Sequence, residues 1–463
     1  MTQTRSTSFF RLVAPLLLVA LVLTGAGCGG NATAERLATT PVTLTIWRVF
    51  DSDETFKDLL NDYRAIHPNV SFEYRELRLD EYEDELIRAF AEGTGPDIFS
   101  IHNTWIGEYE SLILPMPDSV TIPYSETRGT VKKEVVYTIQ EEPTLSERAL
   151  KSDYIDVVTQ DVLRDYQPNA DAPTESRIFG LPLAVDTLAL YYNEDLLDAA
   201  GFPQPPETWS EFQDQVAEMV RIGSDDEIIQ AAAAIGTGEN VERAFDIASL
   251  LMMQNGTEMT DSRGRALFAK EVDKTFLAGQ AMRFYTDFAN PLKEVYTWNE
   301  EQPDSFDAFT AGNLGFFFGY AYHAPFIRSA NEKLDFSITP VPQIDGGKTV
   351  NYANYWVETV AKNTDNSDWA WDFILFATDE ERVMSYLNAA QKPTALRGLI
   401  NEQIEDETLS VFVGQTLTAD SWYQGDDAQV AEEAFIELID AFLSGAEEEA
   451  SLTTAQNKVN QTL

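Results

Sequence analysis

Between residues 42 and 101 the chain changes its hydrophobic period four times, and this constrains its fold more than any other feature. Residues 42–47 (VTLTIW) alternate and are rich in β-branched side chains, the pattern of a strand. The cap-type residues Asp51, Ser52 and Asp53 follow. They precede a run in which Phe56, Leu59, Leu60, Tyr63 and Ile66 recur at helical spacing. His67, Pro68 and Asn69 stop that helix, and residues 70–74 read as a second strand. A second helix over about 81–92 places Tyr82, Leu86, Ala89 and Phe90 on one face, and GTGP at 93–96 ends it. Residues 97–101 (DIFSI) make a third short strand. Strand, helix, strand, helix, strand predicts a parallel α/β sheet.

Ligands of such sheets sit beyond the carboxyl ends of the strands. Two stretches fall there: Trp47 with the loop 48–53, which includes Asp51, and the run His102, Asn103, Thr104, Trp105. Each sets a flat apolar ring beside hydrogen-bonding groups, a combination suited to a sugar ring.

Upstream, Arg5 and Arg11 precede an apolar run over 12–23, then Gly25, Ala26 and Gly27, then Cys28. A positive start, a short apolar stretch and small residues describe an export signal over 1–27. The run is too short for a finished membrane-spanning helix. Cys28 is the only cysteine, so no disulfide forms within the chain. Its place straight after the signal resembles that of the lipidated cysteine of bacterial lipoproteins, which implies a membrane anchor. Several acyl chains hold a protein stably where one alone is marginal. Residues 28–40, small and polar, read as a flexible tether.

Charge narrows the partners. Asp and Glu number 77 against 32 Lys and Arg, a formal net charge of −45. Nucleic acid is excluded, because binding it requires a surplus of basic side chains along the contact face. The acids read as a solvated surface, with an acidic cleft for cations or polyamines as the alternative.

Beyond residue 118 the pattern fades, and 118–171 reads as irregular decoration of a first lobe. Residues 178–193 (IFGLPLAVDTLALYYN) form a long apolar stretch holding one acid, Asp186, whose burial without a partner would be costly. Thr208 and Glu211 make a capping box before Trp209, Phe212, Val216, Met219 and Val220. An apolar helix covers 244–253.

GTGPDIF at 93–99 resembles the GxGPDI segment of family 1 extracellular solute-binding proteins, the group that includes maltose-binding protein. Residues 180–201 (GLPLAVDTLALYYNEDLLDAAG) are similar to that family's lobe-crossing strand, and PPETWSEF follows. FTAGNLGFFFGYAYHAPFI at 309–327 is similar to its aromatic ligand loop. VNYANYWVETVAKNTDNSDWAWDFILF at 350–376, which contains Trp356, is similar to its return strand and helix. The C-terminal SWYQGDDAQVAEEAFIELIDAFLSG fits as well. The resemblance implies an α/β, two-lobed type II periplasmic-binding-protein fold, with hinge strands and a central ligand cleft. Lobe 1 is expected over 41–184 and 341–390, and lobe 2 over 185–340 and 391–463. It implies capture of a sugar and delivery to the permease subunits of an ABC importer, by a monomer without cofactor. Position by position, Asp186 matches a cleft acid that accepts sugar hydroxyls, and His102 and Asn103 match a polar pair. Tyr320 and Tyr322 match a stacking loop, Trp422 a late aromatic platform, and Asn240 and Arg243 a sugar-touching segment. Trp47, Asp51, Trp105 and Trp356 complete the expected lining.

Enzyme classes find little support. There is no G-x-S-x-G elbow and no H-E-x-x-H. GGKT at 346–349 fails as a phosphate loop because Pro342 stands where its first glycine belongs. A glycosidase needs two carboxylates flanking one bond, and no pair is singled out among 77 acids. His323 reads as a hydrogen-bonded cleft or core histidine rather than a base. Three histidines and one lipidated cysteine leave little for a transition metal, so no metal site is expected.

Overall fold

The computed structural model describes residues 28–130, 132–224 and 227–463. The export signal read over 1–27 lies outside the described residues. Among the described residues no helix is long and apolar enough to cross a membrane.

Strands β1 (Val42–Val49), β2 (Val70–Leu77) and β3 (Ile98–His102) form where the sequence placed them, each running on to the residues that end its apolar alternation. β1 pairs in parallel with both β2 and β3, and the return strand Trp356–Val360 joins β3 antiparallel, giving the order return strand, β3, β1, β2. Helix Asp53–Ile66 buries Phe56, Leu59, Leu60 and Tyr63 of the stripe its spacing demanded, while Ile66 at its last turn stays exposed. Helix Leu79–Glu92 ends at Gly93, whose φ of 72° is left-handed backbone that glycine adopts without steric cost.

A second sheet runs Arg221–Ile222, Ile228–Ala233, Leu314–Gly319, Ala189–Asn193, Phe336–Pro340. The capping box of Thr208 and Glu211 opens helix Trp209–Met219. Two buried apolar clusters result, one around each sheet. A short three-stranded sheet bridges them, with Asn351–Asn354 flanked by Ala419–Asp420 and Asp186–Thr187. The architecture is therefore α/β and two-lobed.

Core membership moves the expected lobe boundaries. Val341, Val350 and Tyr352 pack in the second core, not the first, and Ala395, Leu396 and Leu399 pack in the first, not the second. The chain crosses between Val185 and Leu188, between Tyr352 and Ala353, and between Leu399 and Leu409, and it touches the first core once more at Ala419 before Trp422 returns it to the second. An extended crossing strand belongs to both cores, so no change in composition marks it.

Two other segments differ from expectation. The tether expected at 28–40 is helix Cys28–Thr39, which packs against a β-hairpin and buries Ala34 and Ala38. Its small residues include alanines, the strongest helix formers. That hairpin, Ser119–Arg128 with Glu134–Pro143, lies in the region read as irregular. Exposed and half-buried residues run in blocks along its second strand and the outer half of its first, so no alternation of burial is written into the sequence there.

Candidate ligand-binding cleft

From the first lobe, β3 ends at His102, which caps the short turn Asn103–Trp105. Its Nδ1 accepts from the Thr104 amide at 3.4 Å and lies 2.8 Å from the Thr104 hydroxyl. Register places Trp356 directly opposite His102 on the return strand. His102, Trp105 and Trp356 then meet in one edge-to-face group, with ring centroids 5.3–6.1 Å apart. Trp105 packs against both cores, so the group stands where the lobes meet. Burial lowers the His102 imidazole to about 4; Arg243 adds to this, while a hydrogen bond with Asn354 opposes it. The ring is neutral at pH 7.

From the second lobe, Arg243 caps helix Ala244–Gln254 with a φ of 63°. A non-glycine residue there is strained unless its surroundings hold it. Asp246, one turn into the helix and 1% exposed, supplies the hold. Arg243 Nε donates to Asp246 Oδ2 at 2.7 Å, and the Tyr320 hydroxyl donates to the same oxygen at 2.6 Å. The terminal nitrogens of Arg243 make no protein hydrogen bond among the described residues, and the side chain keeps 25% exposure. Arg243 and Asp246 both act on the charge of His102, so the two lobes bring these groups within electrostatic reach of one another.

The aromatic loop is held from below by His323. Its Nδ1 accepts from the Tyr320 amide at 2.9 Å, which assigns the proton to Nε2, 3.0 Å from Glu242 Oε1. Burial works to raise the Glu242 carboxyl, but the hydrogen bond from His323 and the charge of Arg243 hold it below its ordinary value. The His323 ring stacks on Tyr322 at 4.0 Å, and Tyr322 also stacks on Tyr320 at 6.1 Å. Tyr322 is 40% exposed and Tyr320 fully buried, so Tyr322 is the accessible ring of the two while Tyr320 anchors Asp246.

Asp186 sits at the base of this loop on the bridging sheet. Its carboxylate accepts from the amides of Thr187 at 2.8 Å and Ala321 at 2.9 Å. Burial raises it to about 7 against the pull of those amides and of Lys392. Its oxygens already tie the loop to the hinge strand.

Several expected lining residues serve the framework instead. Asn103 is 2% exposed and donates to buried Asp161 at 3.0 Å. Asn240 accepts from the Trp298 indole and donates to the carbonyls of Asn299 and Gln302, which uses its amide on loop backbone. Asp51 is buried between Arg48 at 2.6 Å and Lys392 at 2.7 Å. Trp422 packs in the second core on Phe245 and Phe435, its indole donating to Ser249 at 3.0 Å. Trp47 lies inside β1 with the guanidinium of Arg75 over its ring at 4.6 Å. In each case a residue type suited to sugar meets a neighbour that consumes its face or its polar atoms.

Sequence reasoning missed Asp246 and Glu242. A signal exists for the first: an acid three residues after an arginine at a helix start is placed to pair with it.

Residues 50–384 match the family model described as bacterial extracellular solute-binding protein. The galactooligosaccharide-binding protein of Bacillus subtilis is 20% identical over 401 residues, 84% of this chain and 81% of that protein. The maltotriose-binding protein of Pyrococcus abyssi is 20% identical over 384 residues, 81% and 71% of the two chains. Among solved structures, the cyclic alpha-maltosyl-1,6-maltose binding protein from Arthrobacter globiformis superposes with a TM-score of 0.65 at 17% identity, covering 91% of this chain and 98% of its own.

Proposed function

Because the chain belongs to the bacterial extracellular solute-binding protein family, we propose that it captures a neutral sugar or oligosaccharide between its lobes and hands it to the permease subunits of an ABC importer. One observation carries the reading. The lobe junction holds the aromatic group of His102, Trp105 and Trp356, a partly uncovered arginine fork within electrostatic reach of His102, and the exposed ring of Tyr322. Aromatic planes cover the apolar C–H face of a sugar ring, and the fork donates in-plane hydrogen bonds to its hydroxyls. Neutral His102 adds a polar group without charge.

A cationic ligand such as a polyamine fits less well. The Arg243 guanidinium stands in its way, and Asp246 and Glu242 are already engaged by Arg243, Tyr320 and His323. Hydrolysis is not part of the proposal, and the ligand leaves chemically unchanged. The two named relatives and the solved neighbour are binding proteins for oligosaccharides, and that supports the class of ligand.

Titration calorimetry against a panel of neutral sugars and polyamines, with mass spectrometry of the recovered ligand, tests this. One-to-one binding of an intact sugar is expected; tight polyamine binding or shortened sugar overturns it. Anchoring through Cys28 belongs to the same proposal. Cys28→Ser moves the protein from the membrane to the soluble fraction, and unchanged fractionation sinks the anchor.

A further inference from the structure

The hairpin Ser119–Arg128 with Glu134–Pro143 is rooted in the first lobe and open at its tip. At the root Val120 and Ile122 pack in the first core, and the Thr121 amide donates to Asp368 at 3.2 Å. From Ser125 to Thr130 every residue is exposed. Gly129 turns the chain with a φ of 94°, and a side chain there would strike the Lys132 carbonyl, so the turn is tight and ends in Lys132 and Lys133. Nowhere else in the sequence do two basic residues adjoin. Arg128 pairs with Glu126 at 2.8 Å, while Lys132 and Lys133 enter no ion pair among the described residues. Over residues 126–134 bases outnumber acids three to two, against 32 to 77 in the whole chain. Val135 and Ile139, 48% and 41% exposed, lie on one face of the second strand. The tip is thus a basic and apolar spot on an acidic molecule.

Helix Cys28–Thr39 ties this hairpin to the residue read as the anchor. It packs against both strands of the hairpin, with Ala34 and Ala38 buried. Its C-terminal end is fixed as well. The Thr40 carbonyl accepts from the Asn69 side chain at 3.1 Å, and nearby His67 meets Tyr124 of the hairpin at 5.0 Å between ring centroids. Twelve residues of helix span about 18 Å and ten residues of strand about 33 Å, so a bilayer that holds Cys28 lies within reach of the tip.

We propose that the hairpin is a membrane foot, whose tip rests on the anionic headgroups of the bilayer that anchors Cys28. Lys132 and Lys133 meet lipid phosphates, and Val135 and Ile139 enter the boundary between headgroups and acyl chains. The same headgroups repel the acidic remainder of the surface, which leaves the tip as the favoured contact. The proposal rests on anchoring through Cys28 and adds orientation to it. The first lobe is seated on the membrane, and the second lobe is the one that moves when the cleft closes.

Acylation consumes the only native thiol, so Thr130→Cys supplies one reactive group at the tip. Leu292→Cys, at a site 91% exposed on the second lobe, is the reference. The acylated full chain, labelled at either thiol with a fluorophore, is placed in vesicles of phosphatidylethanolamine and phosphatidylglycerol and challenged with aqueous acrylamide as quencher. The tip label is expected to be shielded and the reference label to be quenched freely. Lys132→Glu with Lys133→Glu is expected to abolish the shielding while the chain stays on the vesicles; both lysines are exposed, so folding is not at stake. A tip label as open as the reference, or shielding that survives the charge reversal, overturns the foot and leaves the anchor standing. Shielding in native membranes but not in vesicles assigns the tip to a protein partner and overturns the foot equally. A chain without acyl mass on Cys28 overturns the anchor and the foot with it.

Discussion

Each lobe holds an arginine set among carboxylate and tyrosine, and the two sets differ in what they leave uncovered. In the first lobe Arg48 is 3% exposed. Its terminal nitrogens are spent on Glu358, on Asp51 at 2.6 Å and on Tyr386 at 3.2 Å, and its carbon face lies over Phe56 at 4.4 Å. In the second lobe Arg243 pairs with Asp246 through Nε alone and keeps a quarter of its side chain open. Residue type does not separate the two. Spare donors and exposure do: Arg48 is enclosed by the framework, and Arg243 keeps donors free for the proposed ligand.

The largest effect that would sharpen this contrast is Asp51→Ala. It takes from buried Arg48 one of its two carboxylate partners, leaving Glu358, and breaks the ion pair of Lys392; breaking a buried pair costs about 3–5 kcal/mol. Urea unfolding is expected to show that loss, with sugar affinity per folded molecule close to wild type. A stability loss under ~1 kcal/mol would erase the distinction between the clusters.

Arg243→Lys comes next. Lysine keeps the charge but not the planar fork. A hydrogen bond to a charged group contributes about 1.5–3 kcal/mol, so affinity is expected to fall roughly ten- to hundredfold. Calorimetry reads the fall, and unfolding should change little. Unchanged affinity would place Arg243 in the framework beside Arg48.

Tyr322→Ala is smaller. Loss of one stacking face weakens binding about three- to tenfold, because aromatic pairing contributes roughly 0.5–1.5 kcal/mol beyond burial. Trp422→Ala serves as its opposite. Trp422 is 6% exposed, so its truncation costs about 3–5 kcal/mol of stability with affinity retained. If the two variants exchange these signatures, the assignment of platform and core is reversed.

Periodicity made the first lobe legible from β1 to β3, since every element there alternates or repeats against one core. The end of β3 pointed to His102 and Trp105, and the family resemblance to the aromatic loop. Neither could tell Tyr322 from Tyr320, or Arg243 from Asn240. Those differences lie in contacts made across long sequence separations, such as Tyr320 with Asp246 and Asn240 with Asn299. Asp51 and Trp422 misled for the same reason. A loop acid and a late tryptophan look alike in sequence, whether they face a cleft or are enclosed by partners hundreds of residues away, such as Lys392 for Asp51.

The smallest effect concerns pH, where the two regions should respond with opposite sign. Lys392 and Arg48 overcome the desolvation of Asp51 and hold its carboxyl down at about 2, against an ordinary 3.8. A depressed carboxyl stabilises the fold above its ordinary value and loses that contribution as pH falls through about 2. Asp186 at the hinge behaves in reverse. Burial raises it to about 7, so the folded chain binds a proton that the unfolded chain has already released. Its ionisation therefore costs stability as pH rises through 7, and the cost disappears on acidification. Glu108 at about 7, with Asp161 and Asp372 at about 6, are raised by burial in the same way and add to the trend. Stability is expected to rise from pH 8 to pH 6, with Asp186 supplying about 1 kcal/mol of it. Denaturant titration at the two values checks this, and Asp186→Asn, which keeps an acceptor oxygen but cannot titrate, should lack that share. A variant with the same rise as wild type would mean that Asp186 is solvated and ionised in the folded chain. The tie it makes to the amides of Thr187 and Ala321 would then be too weak to set the aromatic loop, and Tyr322 would owe its position to His323 alone.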